Sequence, residues 1–250
     1  MAPDPPTQRI LIVGATSAIA TEVGRAFAER GASLILTGRK PERLAALADD
    51  LAVRGAAEVE TAVLDVLAIE SHAAVVERAF VPRRLDVAVI AHGTLPDQTR
   101  CQESATETVR ALEVNFTATA ALLTLLANRF EAQGGGVIAV ITSVAGDRGR
   151  QSNYVYGAAK GGLAVFLQGL RNRLHHRGVS VVTLKPGFVD TPMTAGVPKN
   201  PLFSSARRAG RAIHRAIEGR RDVAYIPWFW RAIMALVISL PESAFKRLRL

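Results

Sequence analysis

One tyrosine and one lysine stand four positions apart in the sequence Tyr156-Gly-Ala-Ala-Lys160. Within a helix, this spacing places both side chains on the same face. A phenol has an unperturbed pKa near 10, and a neighbouring ammonium group favours the phenolate and lowers that pKa. The pair is therefore suited to proton transfer close to neutral pH.

A hydroxyl group and a carboxamide precede this pair. Ser143 lies thirteen residues before Tyr156, at the carboxyl end of an apolar run that predicts a buried strand. Asn115 lies within a long helical pattern, in the sequence Glu-Val-Asn-Phe-Thr. Because open α/β sheets bind ligands at the carboxyl ends of their strands, Ser143 is expected at a binding crevice.

Short apolar runs alternate with longer helical patterns throughout the chain. Several runs, such as Val-Ile-Ala-Val-Ile-Thr, are apolar at every position, which is typical of parallel strands covered on both faces. The predicted strands are Arg9–Val13, Ser33–Thr37, Val59–Leu64, Leu85–Ala91, Val137–Thr142, Val179–Leu184 and Asp222–Pro227. The predicted helices are Ala18–Arg30, Pro41–Arg54, Ile69–Phe80, Ala105–Glu131 and Asn153–Arg177. This alternation predicts an α/β fold, a doubly wound Rossmann-type parallel sheet of seven strands with helices on both faces.

The first strand leads directly into a turn and a helix, beginning at Gly14. Such a turn lets backbone N–H groups and the helix N-terminus approach a pyrophosphate. Ala18 and Ala20 stand where glycines are usual, so a tight turn without a ligand is the alternative interpretation. The residues expected to contact a dinucleotide here are Gly14, Thr16, Ser17, Ala18 and Ile19.

The end of the second strand discriminates between nicotinamide cofactors. NAD sites commonly place an acidic residue there, to accept a hydrogen bond from the ribose 2′-hydroxyl. This chain has Thr-Gly-Arg39-Lys, and a guanidinium can bind two oxygens of a 2′-phosphate. The prediction is NADP(H), with a solvated arginine as the alternative. Asp65 and Val66, after the third strand, suit contact with the adenine edge, and a helix-capping aspartate is the alternative there.

These features together resemble the short-chain dehydrogenase/reductase family over about Arg9 to Thr191. The resemblance implies a reaction in which a hydride moves between nicotinamide and a carbonyl or secondary alcohol. The features that carry it, in family-like order and spacing, are the Gly14 turn, Asp65, Asn115, Ser143, Tyr156, Lys160 and Pro186-Gly187.

The resemblance also implies a role for each of four side chains. Tyr156 would donate a proton to the oxygen of the reduced carbonyl, and Lys160 would lower the pKa of that tyrosine and hold the nicotinamide ribose. Ser143 would orient and polarise the substrate oxygen. Asn115 would fix a water molecule that passes protons from solvent to Lys160.

Two further segments match the family's cofactor contacts. The loop after the sixth strand would cover the nicotinamide, and its contact residues are Pro186, Gly187, Val189 and Thr191. At the end of the fourth strand, Ala91 and Gly93 would contact the cofactor, although Ala91-His92-Gly93 replaces the family's usual Asn-Ala-Gly. His92 is interpreted as a support for the loop backbone, with a catalytic histidine as the alternative.

The charge of the chain is concentrated near its C-terminus. The formal net charge is +9, and eleven Lys and Arg but only three acidic residues lie between Lys199 and Leu250, which assigns the basic excess to a C-terminal tail. No recognisable nucleic-acid-binding pattern accompanies it, so we expect no nucleic-acid partner. With Cys101 as the single cysteine, we expect no disulfide, no metal site and a cytoplasmic location.

The last residues combine aromatic, apolar and basic side chains. The apolar run between Arg231 and Pro241 is too short to cross a bilayer, which takes about 20 residues. Aromatic residues before it and basic residues after it suit contact with the inner face of a membrane. The alternative interpretations are a helix that closes the substrate pocket or one that packs in an oligomer interface. We predict one domain over residues 1–227 and an apolar, basic helical extension over residues 228–250.

The sequence Pro-Trp-Phe-Trp-Arg and the basic ending are similar to one branch of the family, which includes the decaprenylphosphoryl-2-keto-ribose 2-reductases. That similarity implies a lipid-linked keto-sugar as the substrate. A steroid, acyl or other lipophilic ketone is the first alternative. An NADP(H)-binding sensor or scaffold without turnover is the second. The resemblance also implies a homo-dimer or homo-tetramer, formed through the helices Ala105–Glu131 and Asn153–Arg177.

Overall fold

The computed structural model describes residues 7–248, which are built around one parallel sheet. The strands are β1 (Arg9–Val13), β2 (Ser33–Gly38), β3 (Glu58–Val63), β4 (Val87–Ile90), β5 (Gly136–Ile141), β6 (Val179–Pro186), β7 (Val189–Asp190), β8 (Ser204–Ser205) and β9 (Val223–Ile226). Seven of them form the main sheet in the order β3-β2-β1-β4-β5-β6-β9, and all neighbouring pairs are parallel. The predicted doubly wound fold is confirmed.

Helices connect the strands and cover both faces of the sheet. They are α1 (Ala18–Ala28), α2 (Pro41–Val53), α3 (His72–Phe80), α4 (Gln98–Glu103), α5 (Ala105–Leu112), α6 (Ala118–Gln133), α7 (Tyr154–Leu174), α8 (Ala206–Glu218), α9 (Trp230–Ser239) and α10 (Glu242–Phe245). Helices α1 and α8 share one core with the sheet, where Phe27, Leu36 and Ile213 are buried. Helices α3, α6 and α7 share the other, around Phe80, Phe130 and Leu167.

The strand order explains where a ligand can bind. The chain runs from β1 outward to β3 and then returns to the other side of β1 with β4. The connections after β1 and β4 therefore leave in opposite directions, and a crevice opens between them at the carboxyl ends of the strands. Buried apolar side chains along β1, β4 and β5 hold these ends in a fixed relation.

The predicted helix Ala105–Glu131 is continuous but irregular. A single π-helical turn, Glu113–Thr117, joins α5 to α6. By length and composition, the joined helix could cross a membrane. Its apolar side is nevertheless used within the domain, where Leu122, Leu126 and Phe130 pack against the sheet and α3.

The C-terminal charge is distributed differently from the prediction. Arg207, Arg208, Arg211 and Arg215 lie on α8, a helix that the sequence patterns did not predict and that packs against α1 before the last strand. These arginines are exposed, while Ala209, Ile213 and Ile217 of the same helix are buried. Assigning the basic excess to a tail was therefore wrong: part of it is the solvent face of an amphipathic core helix.

The final segment forms α9 and α10. Trp230 and Met234 of α9 are buried in a small apolar cluster with Val144, which directly follows Ser143. Other side chains of this segment, including Trp228 and Leu236, are exposed. The segment thus packs on the domain by one face only. Leu250, the end of the predicted extension, lies outside the described residues.

Candidate active site

A cleft of about 470 Å³ lies at the reversal of strand order. Eight of the residues predicted to bind the cofactor line it: Gly14, Thr16, Ser17, Arg39, Asp65, Val66, Ala91 and Gly93. They come from the ends of β1, β2, β3 and β4, so the parallel sheet brings together residues up to about 80 positions apart. Ala18 and Ile19 begin α1 beside the cleft but do not line it.

The turn after β1 requires glycine at its first position. Gly14 has φ +77°, and a β-carbon there would lie 2.7 Å from the backbone nitrogen of His92. The N–H groups of Gly14 and Ala15 both donate to the carbonyl of Thr37, which ties the turn to β2. Ser17 then caps α1 by accepting from the N–H of Ala20. The glycine-poor loop predicted from the sequence therefore keeps the one glycine that the geometry demands.

Two guanidinium groups stand at the mouth of the cleft, on its β2 side. Arg39 follows β2, and Arg43 reaches back from the first turn of α2 to the carbonyl of Thr16 at 3.5 Å. Arg43 was missed by the sequence analysis, although its position four residues after Arg39 could have indicated it. After the neighbouring strand β3, Asp65 accepts from the backbone N–H of Leu67 and so shapes the turn there.

Lys160 is a buried cation. Its side chain is 4% exposed, and its ammonium donates to the carbonyl of Ile141 at 3.2 Å. Burial lowers the pKa of Lys160 from 10.5 to about 8, because a charge loses its hydration there. The same ammonium lies 5.8 Å from the ring centre of Tyr156, so the predicted pair does share one face of α7.

Asn115 lies in the π-helical turn and is fully buried. Its amide donates to the carbonyl of Ala111 at 2.9 Å, and its oxygen accepts from the N–H of Thr94 at 3.0 Å. A β-carbon at Gly93 would lie 2.9 Å from this oxygen and 3.3 Å from the nitrogen of Lys160. Gly93 thus forms a thin partition between the cleft and the Asn115–Lys160 pair. Single π-turns occur frequently at functional sites.

Tyr156 and Ser143 are hydrogen-bonding neighbours. Burial raises the pKa of Tyr156 to about 12, and the hydrogen bond with Ser143 opposes that rise. Ser143 follows β5, and its hydroxyl also accepts from the N–H of Ala145 at 3.1 Å. Burial therefore outweighs the lowering of this pKa that was expected from Lys160, and the phenol is protonated at neutral pH beside a second hydroxyl.

His92 is a structural neighbour of the site. Its Nε2 lies 2.8 Å from the hydroxyl of Thr119, and its backbone packs against Gly14. Burial, with a smaller contribution from Lys160, lowers its pKa to about 3. A histidine that is neutral throughout the physiological range fits the interpretation of a loop support better than that of an acid catalyst.

The loop after β6 lies apart from the walls of the cleft. Gly187 continues the chain beyond Pro186 and is covered by the indole of Trp230, which leaves no room for a β-carbon. The Val189 side chain is buried in the core, so only its backbone can face a ligand. Thr191 caps a short 3-10 helix at Pro192–Thr194.

The lowered pKa of Lys160 can be measured directly. In an NMR titration of the ligand-free protein, its side-chain resonance should shift with a midpoint near pH 8, because burial disfavours the cation. The spectrum of Lys160→Met identifies the resonance by its loss. Since the folded chain releases this proton earlier than the unfolded chain, the free energy of unfolding should gain a contribution between about pH 8 and 10.5 that Lys160→Met lacks. A midpoint near 10.5 would contradict this environment.

Comparison with known proteins places the chain in a family. The family model for short chain dehydrogenases matches residues 8–201. An uncharacterized oxidoreductase of Mycobacterium tuberculosis is 35% identical over 240 residues, covering 96% of each chain. Sulfoacetaldehyde reductase 2 of Chromohalobacter salexigens is 36% identical over 193 residues, covering 74% of each chain. A short-chain dehydrogenase from Sphingobium yanoikuyae, solved in complex with NADPH, superposes with a TM-score of 0.81 at 27% identity and covers 94% of this chain and 97% of its own. The chain belongs to the short-chain dehydrogenase/reductase family of oxidoreductases.

Proposed function

We propose that this protein is an NADP(H)-dependent reductase of a lipophilic carbonyl compound, able to oxidise the corresponding alcohol in reverse. The observation that carries the proposal is the meeting of Tyr156, Ser143 and Lys160 at the carboxyl end of the sheet, beside the cleft. A proton donor, a second hydroxyl and a buried cation are what a carbonyl oxygen needs when it gains negative charge.

The cleft suits a dinucleotide. The first N–H groups of a helix have no intrahelical partner, and at the start of α1 they belong to Ala18 and Ile19. With the close turn at Gly14, they would receive the pyrophosphate. Asp65 and Val66 would hold the adenine, and Ala91 and Gly93 the central part of the molecule. The loop residues Pro186, Gly187, Val189 and Thr191 would hold the nicotinamide end.

Two observations favour a 2′-phosphate over a free 2′-hydroxyl. Arg39 and Arg43 both line the cleft near the end of β2, and the two residues directly after that strand are basic rather than acidic. One guanidinium group can donate hydrogen bonds to two phosphate oxygens at once. The related Sphingobium protein was solved with NADPH, which agrees with this assignment.

When bound, NADPH supplies the hydride that reduces the carbonyl carbon. In our proposal the Tyr156 phenol donates the proton to the carbonyl oxygen, and the Ser143 hydroxyl donates a hydrogen bond to the same atom. The Lys160 ammonium stabilises the resulting phenolate and binds the nicotinamide ribose. Asn115, held by Ala111 and Thr94, orients the water through which Lys160 and Tyr156 regain protons.

Removal of the phenol tests these roles. Tyr156→Phe should lower kcat for reduction of decan-2-one on the order of 10²–10⁴-fold, because the proton donor is lost. The Kd for NADPH, followed by fluorescence, should stay within about twofold. Tyr154→Phe is the matched control, because Tyr154 is exposed and two residues away. A kcat for Tyr156→Phe equal to that of the wild type would refute the mechanism.

Cofactor choice tests the role of Arg39. Arg39→Asp should lower the ratio of kcat/KM for NADPH to that for NADH by about tenfold or more, since a carboxylate repels the 2′-phosphate and accepts from a 2′-hydroxyl. Lys40→Asp introduces the same change of charge one residue further on, outside the cleft walls. If both variants keep the wild-type ratio, Arg39 is a surface residue only.

The surroundings of Ser143 favour an apolar substrate. Val144 packs with Trp230 and Met234, and Phe188 stacks with Phe203 beside them. A carbonyl compound approaching Ser143 from this side meets hydrocarbon, and each buried methylene contributes about 0.8 kcal/mol. The expected kcat/KM for decan-2-one therefore exceeds that for butan-2-one, and equal values would contradict the assignment. A lipid-linked keto-sugar is the narrower candidate, and a steroid or acyl ketone is its alternative.

The outer face of the last segment favours contact with a membrane surface. Trp228 is 80% exposed and Leu236 67% exposed, and Arg231 and Lys246 are exposed nearby in sequence. Aromatic and basic residues in this combination bind anionic interfaces. This proposal includes a cytoplasmic location at the inner face of the membrane.

Sedimentation with vesicles tests the membrane contact. The protein should sediment with vesicles of phosphatidylcholine and phosphatidylserine, and less with phosphatidylcholine alone, because the basic residues add attraction to anionic lipid. The double variant Trp228→Ser, Leu236→Ser should remain in the supernatant. Val53→Ser, an exposed apolar position on α2, is the control. Failure of the wild type to sediment would rule the contact out.

A homo-dimer or homo-tetramer through the joined α5–α6 helix and α7 stays a prediction, as does the division of the chain at residue 227. Exposed valines on these helices, Val109 and Val165, agree with a shared interface. Light scattering of the purified protein would give the number of subunits, and a monomer would refute the assembly.

A further inference from the structure

One arginine connects the loop after Ser143 to the end of the chain. Arg148 lies five residues after Ser143, and its guanidinium donates to the carbonyls of Val237 at 2.6 Å, Ile238 at 3.2 Å and Leu240 at 2.6 Å. These carbonyls end α9, where a helix leaves its last acceptors without intrahelical partners. A cation at this position also interacts favourably with the helix dipole.

The same guanidinium makes two more contacts beyond α9. It pairs with Glu242 at 3.0 Å and lies 3.8 Å over the ring centre of Phe245, both in α10. Arg148 is only 13% exposed at its side chain, whereas Glu242 is 78% exposed. The carbonyls and the ring therefore account for more of the attachment than the exposed ion pair does.

The loop that carries Arg148 is itself anchored. The neighbouring carboxylate, Asp147, pairs with Lys185 of β6 and accepts from the hydroxyl of Tyr225 at 2.9 Å. Since Tyr225 belongs to β9, the loop is fixed to two strands of the sheet. Arg148 thus extends from a loop that is fixed to the sheet.

The attached segment contacts both sides of the candidate reaction centre. Trp230 and Met234 pack on Val144, the residue after Ser143. The indole of Trp230 also covers Gly187, so closely that a β-carbon there would lie 2.0 Å from the ring nitrogen. A shift of α9 would therefore remove the apolar wall beside Ser143 and uncover the loop proposed to hold the nicotinamide.

We propose that Arg148 is a positioning residue that holds the segment 228–248 against the loop after Ser143, a set of contacts that we call the latch. We propose also that binding of lipophilic ketones depends on this latch. The dependence on ketone binding rests on the proposed reductase function, whereas the latch itself does not. Arginine suits this position because Nη1 donates to the carbonyls at the end of α9, Nη2 pairs with Glu242, and the guanidinium plane lies over Phe245. The single ammonium of a lysine cannot make these three contacts together.

Tryptophan fluorescence tests the latch without any substrate. The chain has two tryptophans, so Trp228→Phe leaves the buried Trp230 as the only emitter. In that background Arg148→Met should shift the emission to longer wavelength and increase quenching by acrylamide severalfold. Arg148→Lys should give an intermediate value, and Glu242→Gln should resemble the parent because the carbonyl contacts remain. Unchanged quenching in Arg148→Met would overturn the latch.

Steady-state kinetics test whether ketone binding depends on the latch. Arg148→Met should raise KM for decan-2-one about tenfold with kcat within about twofold, the pattern expected when uniform binding is lost. The KM for butan-2-one should change little, because a short ketone makes less contact with the wall. If Arg148→Met does not fold, Arg148→Lys should show the same pattern to a smaller extent: a raised KM for decan-2-one with little change in kcat. Increased quenching with an unchanged KM would confine Arg148 to a structural role and overturn the proposal. Absence of ketone turnover in the wild type would instead refute the reductase function while the fluorescence result stands.

Discussion

The ammonium of Lys160 is almost fully buried at the carboxyl end of the sheet, and the groups around it make this burial possible. A buried charge is unfavourable unless polar groups face it. The carbonyl of Ile141 at the end of β5 accepts its hydrogen bond, and Gly93 at the end of β4 leaves room beside it. The π-helical turn brings Asn115 to the same glycine. Because the pKa is lowered only to about 8, the cation persists at neutral pH.

The parallel sheet makes this arrangement possible. Strands β4 and β5 are adjacent, and their carboxyl ends lie on the same edge as the turn after β1. The dinucleotide cleft and the buried cation are consequently neighbours, separated by Gly93. The C-terminal segment then covers the side of Ser143 with apolar residues, held by Arg148. Its inner face packs on Val144, and Trp228 and Leu236 of the same segment are exposed.

Local sequence patterns were sufficient to predict the sheet and the site residues whose positions follow from regular strands and helices. Apolar runs predicted the seven strands, and helical spacing placed Tyr156 beside Lys160. Helix α8 escaped prediction because four arginines obscure its apolar stripe, which is visible only as Ala209, Ile213 and Ile217. The contacts of Arg148 join residues about 90 positions apart, so no local pattern could reveal them. The π-turn at Asn115 packs against α7, and this contact between residues distant in sequence is likewise not visible in a local pattern.

Transfer of a labelled hydride is the measurement that separates a reductase most directly from a protein that only binds nucleotide. The purified chain would be incubated with NADPH deuterated at the transferable position of the nicotinamide, in the presence of decan-2-one and of a polyprenyl-phosphate keto-pentose in detergent. The proposed chemistry predicts an alcohol that carries one deuterium on the former carbonyl carbon, detected by mass spectrometry. Tight binding of NADPH without a deuterated alcohol from either compound, or from a wider panel of ketones, would contradict it.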